Sequence, residues 1–262
     1  MPTIAVNGTT IYYETHGTGV PIVFIHDHLS SHHLFEPQVE YFSKRVMVIV
    51  LDLRGNGLSG KMNVEVNRIV DVQCEDLNGL LQNLNIPKVI LVGCSSGGVI
   101  AQKFASLYPD RVRAVVVIDH YFYRKMKNSK LWDMVDTCSW LTYYLPGEFF
   151  LRSLRAIYHR WQPAYFILRN ELLRKRPTEL IKQRMALRHI DPIVYSLRIQ
   201  VPILYVAGSQ NKTALVQLRE VSSSLPHAQI AILNDAIYPS HLCQPLDFNQ
   251  LLLNFLIDQQ AV

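Results

Sequence analysis

The clearest chemical signal in the chain is the run Gly93-Cys94-Ser95-Ser96-Gly97-Gly98. It follows the apolar run Lys88-Val89-Ile90-Leu91-Val92 and opens an amphipathic stretch from Val99 to Leu107. A GxSxG placed between a strand and a helix is the setting of a nucleophile elbow. Glycines on either side let the backbone turn sharply and hold the central residue in a strained conformation. Ser95 then projects its hydroxyl from the carboxyl end of a strand, and the Ser96 amide at the helix start can donate to an oxyanion. The chemistry this spacing predicts is nucleophilic attack on a carbonyl, with Cys94 and Ser96 as flanking positions.

Four histidines within eight residues, His26, His28, His32 and His33, raise the alternative of a metal site. The spacing lacks the carboxylate or cysteine set that would complete one, so no metal is expected. Cys74, Cys94, Cys138 and Cys243 lie far apart and form no CxxC pair, which fits reduced, buried thiols.

The elements that must position Ser95 are legible as apolar runs. Pro21 to Ile25, Val46 to Leu51, Lys88 to Val92 and Ala114 to Ile118 read as buried strands alternating with amphipathic stretches, the pattern of βαβ units and a mostly parallel sheet. Ahead of them Asn7-Gly8, between Thr3–Val6 and Thr10–Glu14, signals a hairpin. The sheet resumes with Pro202 to Ala207 and Ala228 to Leu233, and Gln244 to Asp258 reads as a closing helix. Residues 120–196 show no strand alternation. Their Leu, Arg, Tyr and Trp recur at helical spacings, which predicts a helical cap. That segment holds all three tryptophans, Trp132, Trp140 and Trp161, with seven of the 13 tyrosines, so these rings either line a substrate pocket or supply the buried area a small helical layer needs.

The chain has 262 residues, 49% apolar and 18% charged, which excludes disorder and allows one large α/β domain or two small ones. Its apolar runs stop well short of the ~20 residues of a membrane-spanning helix, so no membrane partner is expected. Met1-Pro2-Thr3-Ile4 shows no secretory pattern, and a cytoplasmic location is the expectation. The net charge is +5, yet no basic run with interleaved aromatics accompanies it, so no nucleic-acid partner is expected. Residues 120–196 hold 14 of the 26 Lys and Arg against six of the 21 Asp and Glu, so the basic character belongs to the cap.

These residues resemble the α/β-hydrolase family over nearly the whole chain. Asp52-Leu53-Arg54-Gly55-Asn56-Gly57-Leu58-Ser59 looks like the family's DxRGxGxS turn, and Tyr108-Pro109-Asp110-Arg111-Val112 matches its YPxRV junction. The resemblance implies an α/β-hydrolase fold: a mostly parallel central sheet flanked by helices, with residues 1–119 and 197–262 as core and 120–196 as an inserted helical cap. By position it pairs the His28 amide with that of Ser96 as the oxyanion hole, although His26-Asp27-His28 stands where most members carry His-Gly. Asp27 either hydrogen-bonds within this loop or positions a substrate hydroxyl.

A serine nucleophile needs a histidine base and a carboxylate to orient it. In most members the acid follows the strand after the cap as G-x-x-D, but here the sequence is Gly208-Ser209-Gln210-Asn211. The alternative position, at the end of the strand after the nucleophile helix, holds Asp119 on the rim it shares with Ser95. Asp119 is therefore the expected acid, a helix cap being its other reading. Tyr238 occupies the family's catalytic histidine position, with His241 three residues later. A local loop shift makes His241 the expected base, with His28, His32 and His120 as alternatives and Tyr238 lining the pocket. Together with Gly93-Cys94-Ser95-Ser96-Gly97 and Asp27, this arrangement resembles a lactone-hydrolysing branch that includes fungal zearalenone lactonases.

The implied function is a cofactor-free serine hydrolase, a monomer or homodimer, that cleaves a carboxylic ester or lactone of a fairly large apolar compound through an acyl-enzyme. Tyr238 and Asn211 keep two other readings open: a non-hydrolytic or degenerate ligand-binding protein, and a cofactor-independent lyase or cyclase.

Overall fold

The computed structural model describes residues 2–120, 140–188 and 190–260. Strands β1 (Thr3–Val6) and β2 (Thr9–His16) pair antiparallel around Asn7 and Gly8, whose φ angles of 45° and 71° are those an Asn-Gly turn supplies. They are followed by β3 (Pro21–Ile25), β4 (Met47–Leu51), β5 (Val89–Cys94), β6 (Val112–Ile118), β7 (Ile203–Gly208) and β8 (Gln229–Leu233). One sheet results, in the order β1-β2-β4-β3-β5-β6-β7-β8, with β2 antiparallel to β4 and every pairing from β4 to β8 parallel.

Both faces of the central strands are covered, which explains their near-continuous apolar sequence. Val89 and Leu91 of β5, with Val115 and Val117 of β6, join the core on one face; Ile90, Val92 and Cys94, with Ala114, Val116 and Ile118, join it on the other. Each fully buried branched side chain contributes about 1.5–3 kcal/mol. The helices are α1 (Glu36–Phe42), α2 (Ile69–Asn83), α3 (Ser96–Leu107), α4 (Leu151–Tyr158), α5 (Gln162–Arg174), α6 (Pro177–Leu187), α7 (Ile193–Ser196), α8 (Lys212–Ser224), α9 (Ser240–Cys243) and α10 (Pro245–Asp258). Leu77 and Leu80 of α2, Phe104 of α3 and Leu218 of α8 pack on the first face, and Phe42 of α1 and Phe248 of α10 on the second.

Helices α4 to α7 fall between β6 and β7 and are preceded by the turn Trp140–Tyr144. Their contacts with the rest of the chain include four bonds to main-chain carbonyls. Tyr158 Oη donates to Tyr238 O at 2.5 Å, Trp161 Nε1 to Asp235 O at 3.0 Å, Arg176 Nη1 to Ser59 O at 2.8 Å and Lys182 Nζ to Met62 O at 2.9 Å. Behind the turn after β4, the buried Arg54 guanidinium donates to both Asp76 oxygens at 2.7 and 2.8 Å and to Asn7 O at 2.9 Å, which pins that loop to α2 and the hairpin. No described helix is long and apolar enough to cross a membrane. The carboxyl ends of the parallel strands meet along one edge, at which the strand order reverses between β3 and β5, the place where open α/β sheets bind ligands.

Candidate active site

Ser95 sits on that edge between β5 and α3 at φ +52°, ψ −113°, a conformation rare for a residue with a side chain and held by its surroundings. Its amide donates to Ile118 O at 2.8 Å, and its carbonyl accepts from Gly98 N at 3.0 Å. The turn closes only because its neighbours lack side chains. A Cβ on Gly93 would stand 2.3 Å from Gly97 O, and one on Gly97 would stand 2.1 Å from Ile25 O. Ser95 is largely buried, and no described residue hydrogen-bonds its hydroxyl.

The loop after β3 faces the elbow. His28 N donates to Ser96 Oγ at 2.7 Å, so the loop amide named in the sequence analysis lies beside the residue that follows the nucleophile. The loop is held from both sides: Asn56 Nδ2 donates to His28 O and Ser30 O at 2.9 and 3.0 Å, and Gln183 Nε2 of α6 donates to Asn56 Oδ1 at 2.8 Å. The four histidines take different partners, although the His32 and His33 rings lie with centroids 4.0 Å apart. His26 bonds Asp27 O at 2.6 Å through Nδ1 and accepts from Leu53 N at 2.9 Å through Nε2, and burial pushes its pKa down, so it serves as neutral scaffold. The His28 ring is buried and also pushed down by burial. His32 meets Asp52 at 2.8 Å and His33 meets Glu36 at 2.6 Å. Among the described residues no three His, Cys, Asp or Glu side chains gather as metal ligands would.

Asp119 lies on the same rim at φ +47°. Its Oδ2 accepts from Ser240 N at 2.6 Å, and its Oδ1 has longer contacts with Asn211 Nδ2 at 3.4 Å and Gly208 N at 3.5 Å. Burial pushes this carboxyl up to about 6 against those hydrogen bonds. The structure does not join it to His241. That imidazole is fully buried, stacks on Phe35 with centroids 4.9 Å apart and packs against Phe248; its Nε2 lies 3.2 Å from Leu34 O, and its Nδ1 has no hydrogen-bond partner among the described residues. Burial pushes its pKa down to about 4. His241 therefore packs in the second core, and no hydrogen bond connects it with Ser95 or Asp119. His120, another candidate base, packs edge-on to Tyr205 with centroids 5.4 Å apart and is likewise pushed down to about 4 by burial.

What stands near the elbow instead is Tyr238. Its hydroxyl donates to Asp27 Oδ2, while Asp27 Oδ1 accepts from Leu29 N at 3.1 Å. Burial first, and the Asp27 carboxylate second, push the phenol far above its ordinary value, so it stays protonated. The ring also lies beside the Cys94 thiol. Asp27 and Tyr238 border a cavity of about 270 Å³, otherwise mainly apolar, with Leu29, Phe150, Leu154 and Leu168 in its wall. Ser95 is not part of that wall; Tyr238 belongs both to the cavity and to the surroundings of the elbow.

The tryptophans divide differently from the expectation. Trp161 packs in the second core and lines none of the described cavities, because its indole N–H is drawn to Asp235 O. Trp132 lies outside the described residues, and of Trp140 only the backbone turn is described. Sequence reasoning missed Glu171. This α5 carboxyl is buried, accepts from Ser31 Oγ at 2.7 Å and is pushed up to about 7 by burial. The signal was present: Ala164, Ile167 and Glu171 follow the helical spacing of one buried face.

Comparison with known proteins agrees with this architecture. Residues 20–138 match the family described as alpha/beta hydrolase fold. The 2-(acetamidomethylene)succinate hydrolase of Mesorhizobium japonicum is 38% identical over 112 residues, 42% of this chain and 39% of that protein. The chain thus spans well under half the length of this relative. The 3-oxoadipate enol-lactonase 2 of Acinetobacter baylyi is 26% identical over 82% of this chain and 80% of its own. Among solved structures, an esterase from Thermogutta terrifontis superposes with a TM-score of 0.81 at 22% identity, covering 98% of this chain and 97% of the other.

Proposed function

We propose that this chain, which has the α/β-hydrolase fold, cleaves a carboxylic ester or lactone of a fairly large apolar compound, with Ser95 as nucleophile and residues 120–196 as the lid. The observation that carries the proposal is the strained strand-to-helix turn at Ser95, with the His28 amide facing the residue after it. The enol-lactonase among the relatives supports the substrate class.

In this reading Ser95 Oγ bonds to the carbonyl carbon as the carbonyl electron pair moves onto oxygen. The amides of His28 and Ser96 hold that oxyanion, once the Ser96 hydroxyl turns away from His28 N. The serine proton passes to Tyr238 Oη while the phenolic proton moves to Asp27 Oδ2. Collapse expels the alcohol oxygen, which takes the proton back through Tyr238. Water then adds to the acyl-enzyme by the same relay and releases the acid. Asp119 acts as a positioning residue: through Ser240 N it anchors the segment that carries Tyr238. His241 takes no part.

Labelling with a fluorophosphonate tests the assignment. The wild type is expected to react at Ser95, and Ser95→Ala to lose labelling and about 10³-fold or more in turnover of 4-nitrophenyl esters. Full ester turnover by Ser95→Ala would sink it. The pairing of Tyr238 with Asp27 in the cavity wall, against the unbonded Ser95 hydroxyl, favours one second reading: acid and base chemistry without a covalent intermediate, as in a lyase or cyclase. An unlabelled Ser95 beside product formation that Tyr238→Phe abolishes would select it.

A further inference from the structure

A second cavity adjoins the one that Asp27 and Tyr238 border. It measures about 240 Å³ and lies on the seam between α5, α6 and the loops after β3 and β4. The two share Leu29, Ser30, Glu171 and Lys175 in their walls. Their chemistry differs. The first is mainly apolar, whereas the second has Arg174, Lys175, Arg176 and His33 around it.

Two carboxyls, Asp52 and Glu171, share this wall with the three cations Arg174, Lys175 and Arg176 and so offset only part of the charge. Asp52 takes hydrogen bonds from His32 N and Leu58 N at 2.8 Å each, and Glu171 takes one from Ser31 Oγ. The cations are less committed. Arg176 is directed to Asn56 O and Ser59 O and stands 3.9 Å from Glu179, whereas the exposed Arg174 guanidinium has a long contact of 3.5 Å with His33 Nε2. Lys175 reaches Thr142 O at 3.4 Å and lies 5.2 Å from the Phe150 ring, and burial pushes its pKa down against the attraction of Glu148. A cationic recess that opens onto an apolar one fits a ligand with an apolar body and an anionic end.

We infer that the second cavity is a subsite for a carboxylate, so that the preferred ester or lactone carries an anionic group at the end remote from the scissile carbonyl, held by Lys175 and Arg174. This rests on the first cavity being the acyl site of the proposed hydrolase. The predominance of basic residues in 120–196 fits the same ligand and is otherwise unexplained by the relay.

Calorimetric titration with suberamate and with octanamide separates the two ideas, since both carry an amide that the enzyme is not asked to cleave and only suberamate carries a carboxylate. Suberamate is expected to bind ~10-fold more tightly than octanamide, as a charge-assisted contact allows, and the preference to shrink in high salt. The Arg174→Met, Lys175→Met double variant is expected to lose the preference; the single Arg174→Glu change at an exposed position is expected to reverse part of it and serves if the double variant unfolds. Equal affinity for the two ligands, or a preference that survives these variants in folded protein, overturns the subsite. Turnover of 4-nitrophenyl hydrogen suberate against 4-nitrophenyl octanoate completes the test. Charge-dependent binding without turnover of either ester would sink the hydrolase reading and leave the subsite standing, whereas equal turnover of both with equal binding would sink the subsite alone.

Discussion

Two strand ends on the same rim, those of β4 and β6, each deliver a buried aspartate, and the two are treated in opposite ways. Asp52 is fully buried, and burial alone would raise its pKa. It nevertheless stays below the ordinary carboxylate value, because His32 and the Leu58 amide bond it at 2.8 Å. Asp119 has one short bond, from Ser240 N at 2.6 Å, and two long ones, so burial prevails and the carboxyl rises to about 6. What separates a structural carboxylate from a titratable one here is the number of short donors rather than depth.

Removing the charge at the β4 end should have the largest effect. Asp52→Asn turns an NH₂ group toward donors that need an acceptor and is expected to cost about 3 kcal/mol in urea unfolding near pH 7. Because the folded pKa of Asp52 is depressed, that stability is present above the unfolded carboxylate value and is lost as pH falls through the folded one. A cost near zero would erase the contrast between the two strand ends.

The β6 end should show the opposite slope. Asp119 binds its proton more tightly when folded, so the wild type loses roughly 2–3 kcal/mol as pH rises from 3.8 to about 6. Asp119→Asn is expected to lack that loss and to equal or exceed the wild type in stability at pH 7; a variant that tracks the wild-type profile would refute the elevated carboxyl. The smallest effect is expected at His241. His241→Phe leaves Leu34 O without its donor and should cost about 1 kcal/mol at pH 7 while ester turnover persists. The folded imidazole is depressed to about 4, so its contribution is present above pH 6.5 and falls away below. Between pH 4 and 6 it therefore opposes the Asp119 slope, and each variant should expose the slope the other hides. Collapse of turnover in His241→Phe would return the base role to this histidine.

The strands and the elbow were legible because their signals are local: β-branched runs, an Asn-Gly pair and glycines at the turn that approaches Ile25 O. The base was not. His241 lies three residues past the position Tyr238 fills, and its direction is set by Phe35 and Phe248, of which Phe35 lies more than two hundred positions away. The bond between Tyr238 and Asp27 spans 211 positions and has no pattern that a single sequence displays. The two readings of Trp161, pocket wall or buried layer, stay open in the sequence because aromatic content is visible there, whereas the carbonyl its indole N–H finds is not.

The bonds that Tyr158, Trp161, Arg176 and Lys182 make to the core all end on peptide oxygens, of Tyr238, Asp235, Ser59 and Met62. A peptide oxygen survives any substitution at its own residue. The side chains at those four positions can therefore change, and with them the chemistry of the rim, without breaking these four bonds. Such a seam separates the inheritance of the helices from the inheritance of the surface they cover, and lets one set of helices be handed down over many different rims.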